Sequence, residues 1–362
     1  MKKLVFAVTN DLSYDQRMIR ICSSLSRAGY AVSLVGRKTR NSIPLISQPF
    51  EQRRLNGWFP SGKLHYIEFN FRLFCYLLFK KIDLVCAIDL DTILPCYFIS
   101  KLKRITRVYD AHELFCEMKE VVSRPSIYRF WKKIEQFAVP KFKNGYTVNE
   151  LIAEEFSKMY PVHYGVIRNV PSLSQLNIPE KKTRYILYQG AVNQGRSFET
   201  LIPAMKNVSA SLVICGDGNF MQDAKELVRA HQLENKVVLK GRIPPAELIE
   251  ITINAWAGVT LFENNGLSNY YSLGNRFFDY LHAGLPQLCV DYPAYRNIND
   301  RFKVAVLTQG LAPDIISSGL NKLLSDQKLY YELQVNCLKA REVFNWQEEE
   351  KKLIEFYDRL MN

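Results

Sequence analysis

The residues best suited to chemistry stand where short apolar runs give way to polar loops. The densest group is Ser272-Leu273-Gly274-Asn275-Arg276-Phe277-Phe278-Asp279, which leads to Gly284-Leu285-Pro286. Gly274 and Asn275 suit the opening of a helix, where unbonded N–H groups and the positive dipole end attract an anion. Asp279 lies about one and a half turns further on. A carboxylate there accepts from the two hydroxyls of a ribose while the helix start holds phosphate. The plainer alternative is an amphipathic helix with a solvated Asp. The coincidence of glycine turn, carboxylate and terminal Gly-x-Pro favours a ligand.

A second group is Gln189-Gly190-Ala191-Val192-Asn193-Gln194-Gly195-Arg196-Ser197. Two glycines bracket a turn that ends in an arginine before a helix, an arrangement suited to a diphosphate; a plain strand-to-helix turn is the alternative. Cys215-Gly216-Asp217-Gly218 is a lone Gly-x-Gly and reads equally well as a tight turn. In Tyr109-Asp110-Ala111-His112-Glu113, a histidine flanked by acids directly follows a strand. Such a histidine serves as a general base or donates to a sugar hydroxyl, although a lone histidine is more often structural. A metal reading of His112 with Glu113 lacks a second histidine. Asn10 and Asp11, with Asp15 and Arg17 behind them, lie in a loop without Gly-x-Gly-x-x-Gly, and capping of the next helix is their simplest role.

Short β-rich runs alternate with amphipathic stretches, the pattern of an α/β protein with parallel sheets. In the first half, Lys3–Val8, Ala31–Val35, Leu64–Phe69, Leu84–Ile88, Arg107–Tyr109 and Asn144–Val148 read as strands. Tyr14–Ala28 reads as a helix and Arg37–Gly62 as a long loop. The proline-containing stretch Arg168–Lys182 reads as a linker. A second series follows it, with strands at Tyr185–Tyr188, Ala210–Cys215, Val237–Leu239, Gly258–Phe262 and Gln287–Val290. Helices alternate with them and three more close the chain. Two Rossmann-like domains are therefore expected, 1–168 with 346–362 and 175–345, facing each other across a cleft where ligands bind at strand carboxyl ends.

The 362 residues carry a formal charge of +12, and residues 1–170 hold 27 of the 48 basic but only 15 of the 36 acidic residues. That asymmetry points to an anionic partner. Nucleic acid is set aside because no helix-turn-helix, RNA-binding or zinc signature is present. The run Phe69–Lys81 is aromatic, apolar and basic at its end, which suits an anionic membrane surface as well as a core helix. The eight cysteines form no Cys-x-x-Cys pair and read as buried thiols of a reducing compartment, so a cytoplasmic location is expected. The opening MKKLVFAVTND has too short an apolar run for a signal core and reads as a first strand.

Together these residues resemble the GT-B glycosyltransferases, specifically the retaining group called family 4 (glycosyl transferases group 1), over nearly the whole chain. The family's acidic residue, small-residue stretch and Gly-x-Pro match Asp279 to Pro286, and its glycine turn with a basic residue matches Gly190 to Arg196. Its Gly-x-Gly matches Gly216 to Gly218. Its segment near the nucleobase is similar to Gly241-Arg242-Ile243. Asp110-Ala111-His112-Glu113 is similar to a segment whose histidine reaches the donor sugar, and the helix after Asn345-Trp346 to one that crosses back to the N-terminal domain. Two positions depart from the family: Tyr271 stands where the first of two glutamates is usual, and Ala191 where an arginine is usual. A subgroup with Ser-Leu-x-Asn-basic before the acid shares this pattern, and there Asn275 and Arg276 take over part of the diphosphate role.

The resemblance implies sugar transfer from a nucleotide-diphosphate sugar to a saccharide or lipid-linked saccharide, with retention, in cell-surface polysaccharide assembly. Arg196, Arg276 and His112 are the expected catalytic groups. Gly190, Gly216, Gly241, Arg242, Ile243, Ser272, Leu273, Gly274, Asn275 and Asp279 are expected to hold the donor. Asn10, Asp11, Asp110 and Glu113 are the candidates on the acceptor side. Asp89-Leu90-Asp91 has the spelling of a metal motif but follows an N-terminal strand, so no metal or cofactor is expected. A non-catalytic partner protein of the same fold and a nucleotide-sugar epimerase are the competing readings.

Overall fold

In the computed structural model the chain divides into two compact units, Met1–Asn169 with Glu348–Asn362, and Val170–Gln347. All residues are described except Tyr14, Asn41, Ser61, Glu180, Lys181 and Asn362. The first residue of the expected helix Tyr14–Ala28, two residues of the expected linker and the last residue of the expected first domain therefore lie outside the described residues.

The first unit is built on seven strands: β1 (Lys3–Ala7), β2 (Ala31–Arg37), β3 (Glu51–Leu55), β4 (Leu84–Ile88), β5 (Thr106–Ala111), β6 (Asn144–Thr147) and β7 (Gly165–Val166). They pair in parallel in the order β3-β2-β1-β4-β5-β6-β7. Helices cover parallel strands on both faces, so a central strand is apolar throughout rather than alternating; all of Leu84–Ile88 is buried accordingly. The order reverses between β1 and β4. The loops that follow these two strands are the ones that open a crevice for a ligand.

The second unit repeats the plan with β8 (Tyr185–Gln189), β9 (Ser211–Cys215), β10 (Val237–Gly241), β11 (Ala257–Thr260), β12 (Gln287–Val290) and β13 (Ala305–Thr308), in the order β10-β9-β8-β11-β12-β13. Its reversal lies between β8 and β11. The core is a continuous apolar cluster that includes Ile186, Tyr188, Leu212, Ile214, Val259, Phe262, Phe277 and Leu288. The last helix, Trp346–Met361, contributes its residues from Glu348 onward to the first unit. There Leu353 and Tyr357 are fully buried, and the Tyr357 ring lies 5.8 Å from Phe6.

Two expectations are corrected. Leu64–Phe69 is not a strand but part of an 18-residue helix, Gly62–Phe79. Its residues are apolar on more than one side, which hides the period of 3.6 and leaves a short window indistinguishable from a buried strand. The stretch Arg37–Gly62 is not all loop, because Glu51–Leu55 forms the edge strand β3. Its charged EQRRL sequence is typical of an edge that discourages further pairing.

Candidate functional site

In the first unit the loops after β1, β4 and β5 bring together Thr9, Asp89, Asp91, Asp110 and His112, with Arg17 from the helix Gln16–Arg27. Asp110 is fully buried at the end of β5, and Arg17 is 4% exposed. The guanidinium donates to Asp110 Oδ1 at 2.9 Å, to the Ile167 carbonyl at 3.0 Å and, through Nε, to His112 Nε2 at 3.0 Å. A buried charge persists only when paired in this way. His112 Nε2 is 3.2 Å from Asp110 Oδ2, and Nδ1 is 3.5 Å from Asp89 Oδ2. The His112 backbone N–H also donates to Asp89 Oδ1 at 2.9 Å. Asp89 thus grips both the backbone and the ring, from a backbone with φ of +55°. That is the left-handed region, which non-glycine residues adopt at a cost and which clusters at functional sites.

Burial alone would depress the His112 imidazole, but the Asp110 and Asp89 carboxylates outweigh it and raise its pKa to about 9. For Asp110, burial works upward and is overcome by Arg17 and His112, so its carboxyl is held below the usual range. Burial, reinforced by Asp89, lifts Asp91 to about 7, and Thr9 Oγ1 donates to it at 2.6 Å. The two carboxylates thus favour the charged imidazole at neutral pH, with Nδ1 toward Asp89, while Arg17 works against the charge. His112 is equipped to donate a hydrogen bond or stabilise negative charge rather than to act as a base.

The other first-unit candidates are engaged elsewhere. Asp11 pairs with Arg54 at 2.6 Å and accepts from the Ser13 N–H at 3.0 Å. The expected capping role falls instead to Asp15, which accepts from the Met18 N–H at 3.1 Å, while Asn10 Nδ2 donates to Asp15 at 3.3 Å. Glu113 is half-buried beside His112 in the chain.

In the second unit, Arg276 lies on the helix Asn275–His282 and is 8% exposed. Its guanidinium stacks on Tyr188 at 4.0 Å and on Phe262 at 5.2 Å. Nη2 stands 3.4 Å from where a side chain at Gly190 would begin. Among the described residues Nη1 has no hydrogen-bond partner. Burial works against the Arg276 charge, yet Tyr188 and Tyr280 hold its pKa above the ordinary value. Arg196 follows Gly195 (φ +80°) and precedes Ser197 (φ +60°), and its guanidinium stacks on Phe262 at 4.5 Å. One phenyl ring thus carries two guanidinium groups, and each such contact is worth about 0.5–2 kcal/mol.

The glycines at the carboxyl ends of β8 and β9 exist for close approach. A Cβ at Gly216 would lie 1.8 Å from the Gly190 carbonyl oxygen, and one at Gly218 would lie 2.2 Å from Asn193 Oδ1. Gly241 ends β10 at φ +70°, and its carbonyl accepts from the Gly216 N–H at 2.7 Å. Arg242 is exposed, 3.6 Å from Asp217, and Ile243 packs on the cluster around Tyr280 and Leu285. The Gly274 N–H donates to the Tyr295 hydroxyl at 2.8 Å, so this amide of the helix opening is already bound. Ser272 Oγ donates to the Asn269 carbonyl at 2.8 Å, Leu273 packs on the core, and Asn275 is exposed.

Half-buried Asp279 accepts from Gln189 Nε2 at 2.9 Å, and Gln189 Oε1 accepts from the Thr252 hydroxyl at 2.8 Å. This relay aims the carboxylate. Tyr280 supports the same strand, donating to the Leu187 carbonyl at 3.0 Å and accepting from the Gln189 N–H at 3.1 Å. Arg17, Asp89, Gln189, Thr252 and Phe262 were not identified as site residues from sequence. Arg17, Asp89 and Gln189 lay within or beside the motifs read from the sequence, without a role assigned to them, whereas Thr252 and Phe262 carried no local signal. Among the described residues no group of three or more His, Cys, Asp or Glu side chains is arranged to hold a metal ion.

Residues 172–340 match the family model described as glycosyl transferases group 1. No curated protein sequence matches the chain. Among solved structures it is similar to sucrose-phosphate synthase from Thermosynechococcus elongatus, with 16% identity, 99% of each chain covered and a TM-score of 0.80. It is similar to Anabaena HepE solved with UDP and glucose, with 12% identity, 99% of this chain and 100% of that one covered and a TM-score of 0.74. It is also similar to WaaG, a glycosyltransferase involved in lipopolysaccharide biosynthesis, with 15% identity, 97% and 98% covered and a TM-score of 0.75.

Proposed function

From a chain that has the GT-B fold and carries a glycosyl transferases group 1 region, we propose a retaining glycosyltransferase that uses a nucleotide-diphosphate sugar. The second unit takes the nucleotide. Asp279, aimed by Gln189 and Thr252, accepts from the ribose hydroxyls. Gly190, with no side chain, keeps the space in front of the Arg276 guanidinium open for the diphosphate, and Gly216 lets the two strand ends close on each other. Arg196 and Arg276 neutralise the charge that builds on the leaving phosphate as the glycosidic bond breaks. Their stacking on Phe262 fixes them beforehand, and preorganised charge is what stabilises a transition state. These two cations do the work a metal does elsewhere, so the reaction runs without one.

In the first unit His112 donates to the sugar as an imidazolium, and Asp110 and Asp89 keep it charged against the opposing charge of Arg17. The new bond forms on the face the leaving group departs from. The acceptor hydroxyl passes its proton to the departing phosphate oxygen, so no protein base is required. The acceptor is a saccharide or lipid-linked saccharide of cell-surface polysaccharide assembly. The observation that carries this reading is Arg276, a buried guanidinium whose Nη2 lies beside Gly190 and whose Nη1 has no hydrogen-bond partner among the described residues.

A nucleotide-binding partner protein without turnover is the second reading, and it draws on Tyr271 in place of the family's glutamate. The test is isothermal titration of nucleoside diphosphates together with product analysis, on wild type and Arg276→Gln. Binding weakened in the variant, with sugar transfer by wild type, supports the transferase. Binding without transfer to any acceptor leaves the partner protein, and binding unchanged in Arg276→Gln refutes the assignment of Arg276.

A further inference from the structure

The connections β3 to β4, β4 to β5 and β5 to β6 all run the same way across the first sheet. Right-handed crossovers therefore put their helices, Gly62–Phe79, Ile93–Lys103 and Pro125–Ala138, on one face. They pack as a layer, with Tyr66 5.5 Å from Trp131 and Tyr97 5.4 Å from Phe137. The inner side of the first helix buries Phe69, Leu73 and Leu77. Its outer side is also apolar: Leu64, Ile67, Phe71 and Phe79 recur at helical spacing and are 54 to 86% exposed. Phe98 and Leu102 continue this exposed apolar surface on the second helix, and Phe130 and Phe137 on the third. Trp58, 80% exposed, stands just before the layer with the Arg72 guanidinium 4.6 Å over its ring. An apolar surface this extensive on a charged unit marks an interaction site.

The charge around it has one sign. Segments 62–81, 93–104 and 125–143 hold twelve lysines and arginines and two glutamates. Both glutamates are occupied, Glu68 by Arg72 and the Trp58 and Phe59 N–H groups, and Glu135 by Lys132. Exposed Lys63, Lys81, Lys101, Arg104, Arg129 and Lys133 have no acidic counterweight within these segments. Pairing with a second copy through the same face would set cations against cations, because a two-fold interface matches a patch with itself.

We propose that this helical face docks on an anionic lipid bilayer, with the aromatic and aliphatic side chains entering the interface and the lysines and arginines meeting the headgroups. Among the described residues no helix is long and apolar enough to cross a membrane, so the contact is peripheral. The inference extends the transferase reading by placing the enzyme where a lipid-linked acceptor resides, but its test involves no sugar donor, so either reading can fail alone.

The experiment is co-sedimentation of the full chain with phosphatidylcholine vesicles, with and without 30% phosphatidylglycerol, at 0.1 and 0.5 M NaCl. Two variants accompany wild type, Ile67→Ser/Phe71→Ser and Lys63→Glu/Lys101→Glu/Lys133→Glu, all at exposed positions and checked for unchanged melting. Wild type is expected to pellet with anionic vesicles only, and less at high salt. Each lost cation should weaken binding about fivefold, and the apolar variant should lose binding at either salt. Wild type left in the supernatant, equal binding to neutral vesicles, or variants that bind like wild type would overturn the proposal. So would a wild-type dimer in solution that the Phe71 change dissolves, which would assign the face to a second copy.

Discussion

Asn in place of Asp89 tests the electrostatic design of the first-unit cluster at one atom pair. The substitution keeps the side-chain shape and an oxygen for the His112 N–H, but removes the negative charge that sits 3.5 Å from Nδ1. In the wild type His112 titrates at about 9 against an ordinary value of 6.5. That difference corresponds to about 3 kcal/mol favouring the folded imidazolium. The sign follows from the direction of the shift. A raised pKa contributes stability that is complete below pH 6.5 and is lost as pH rises through 9. The assay is an NMR titration of the His112 ring in protein carrying labelled histidine, assigned with His112→Gln. Wild type should titrate near 9 and Asp89→Asn clearly lower, toward 6.5, with Asp110 still holding part of the shift. Turnover should persist through pH 8 in the wild type and fall above 9, with the limb moved to lower pH in the variant. A wild-type His112 that titrates between 6 and 7 would refute the reasoning, as would a pKa indifferent to Asp89.

Arg276→Gln should lower kcat about 10²–10³-fold with the fold intact, measured as steady-state sugar transfer. Gly216→Ala would drive a methyl group to 1.8 Å from the Gly190 carbonyl oxygen and should destabilise the second unit by at least about 1–3 kcal/mol, read from urea unfolding. Arg17→Met leaves Asp110 buried without its partner and should cost about 3–5 kcal/mol in the same assay on the first unit, more than the removal of any exposed arginine. Asp279→Ala should abolish the thermal stabilisation by a bound nucleotide, about 2.7 kcal/mol at a hundredfold excess over Kd in the wild type.

The alternation of parallel strands and helices was legible because buried runs such as LVCAI, and YILY before Gln189, carry no charged residue and lie between amphipathic helices. The helix Gly62–Phe79 was not, because an apolar outer side erases the periodicity that marks a helix. The charged edge strand β3 was hidden for the opposite reason, its EQRRL having no apolar pattern at all. For the candidate site, glycine turns and helix openings declare themselves locally, and Gly190, Gly216 and Asp279 stood out in that way. Long-range partners do not. Nothing near Phe262 in the chain says that Arg196 and Arg276 both stack on it. Nothing near Gln189 says that it aims a carboxylate 90 residues away. The charge state of His112 depends on Asp89, which only the pairing of β4 with β5 brings close.

The most direct test of the central claim is to incubate the protein with UDP-, GDP-, ADP- and CMP-linked sugars and a membrane-derived saccharide extract, then follow nucleotide release and the anomeric configuration of any product by NMR. The account predicts that one nucleoside-diphosphate donor is consumed, that the product keeps the donor's anomeric configuration, and that Arg276→Gln slows the reaction at least about a hundredfold. Donors left intact, although a nucleotide binds in the second unit, would contradict it.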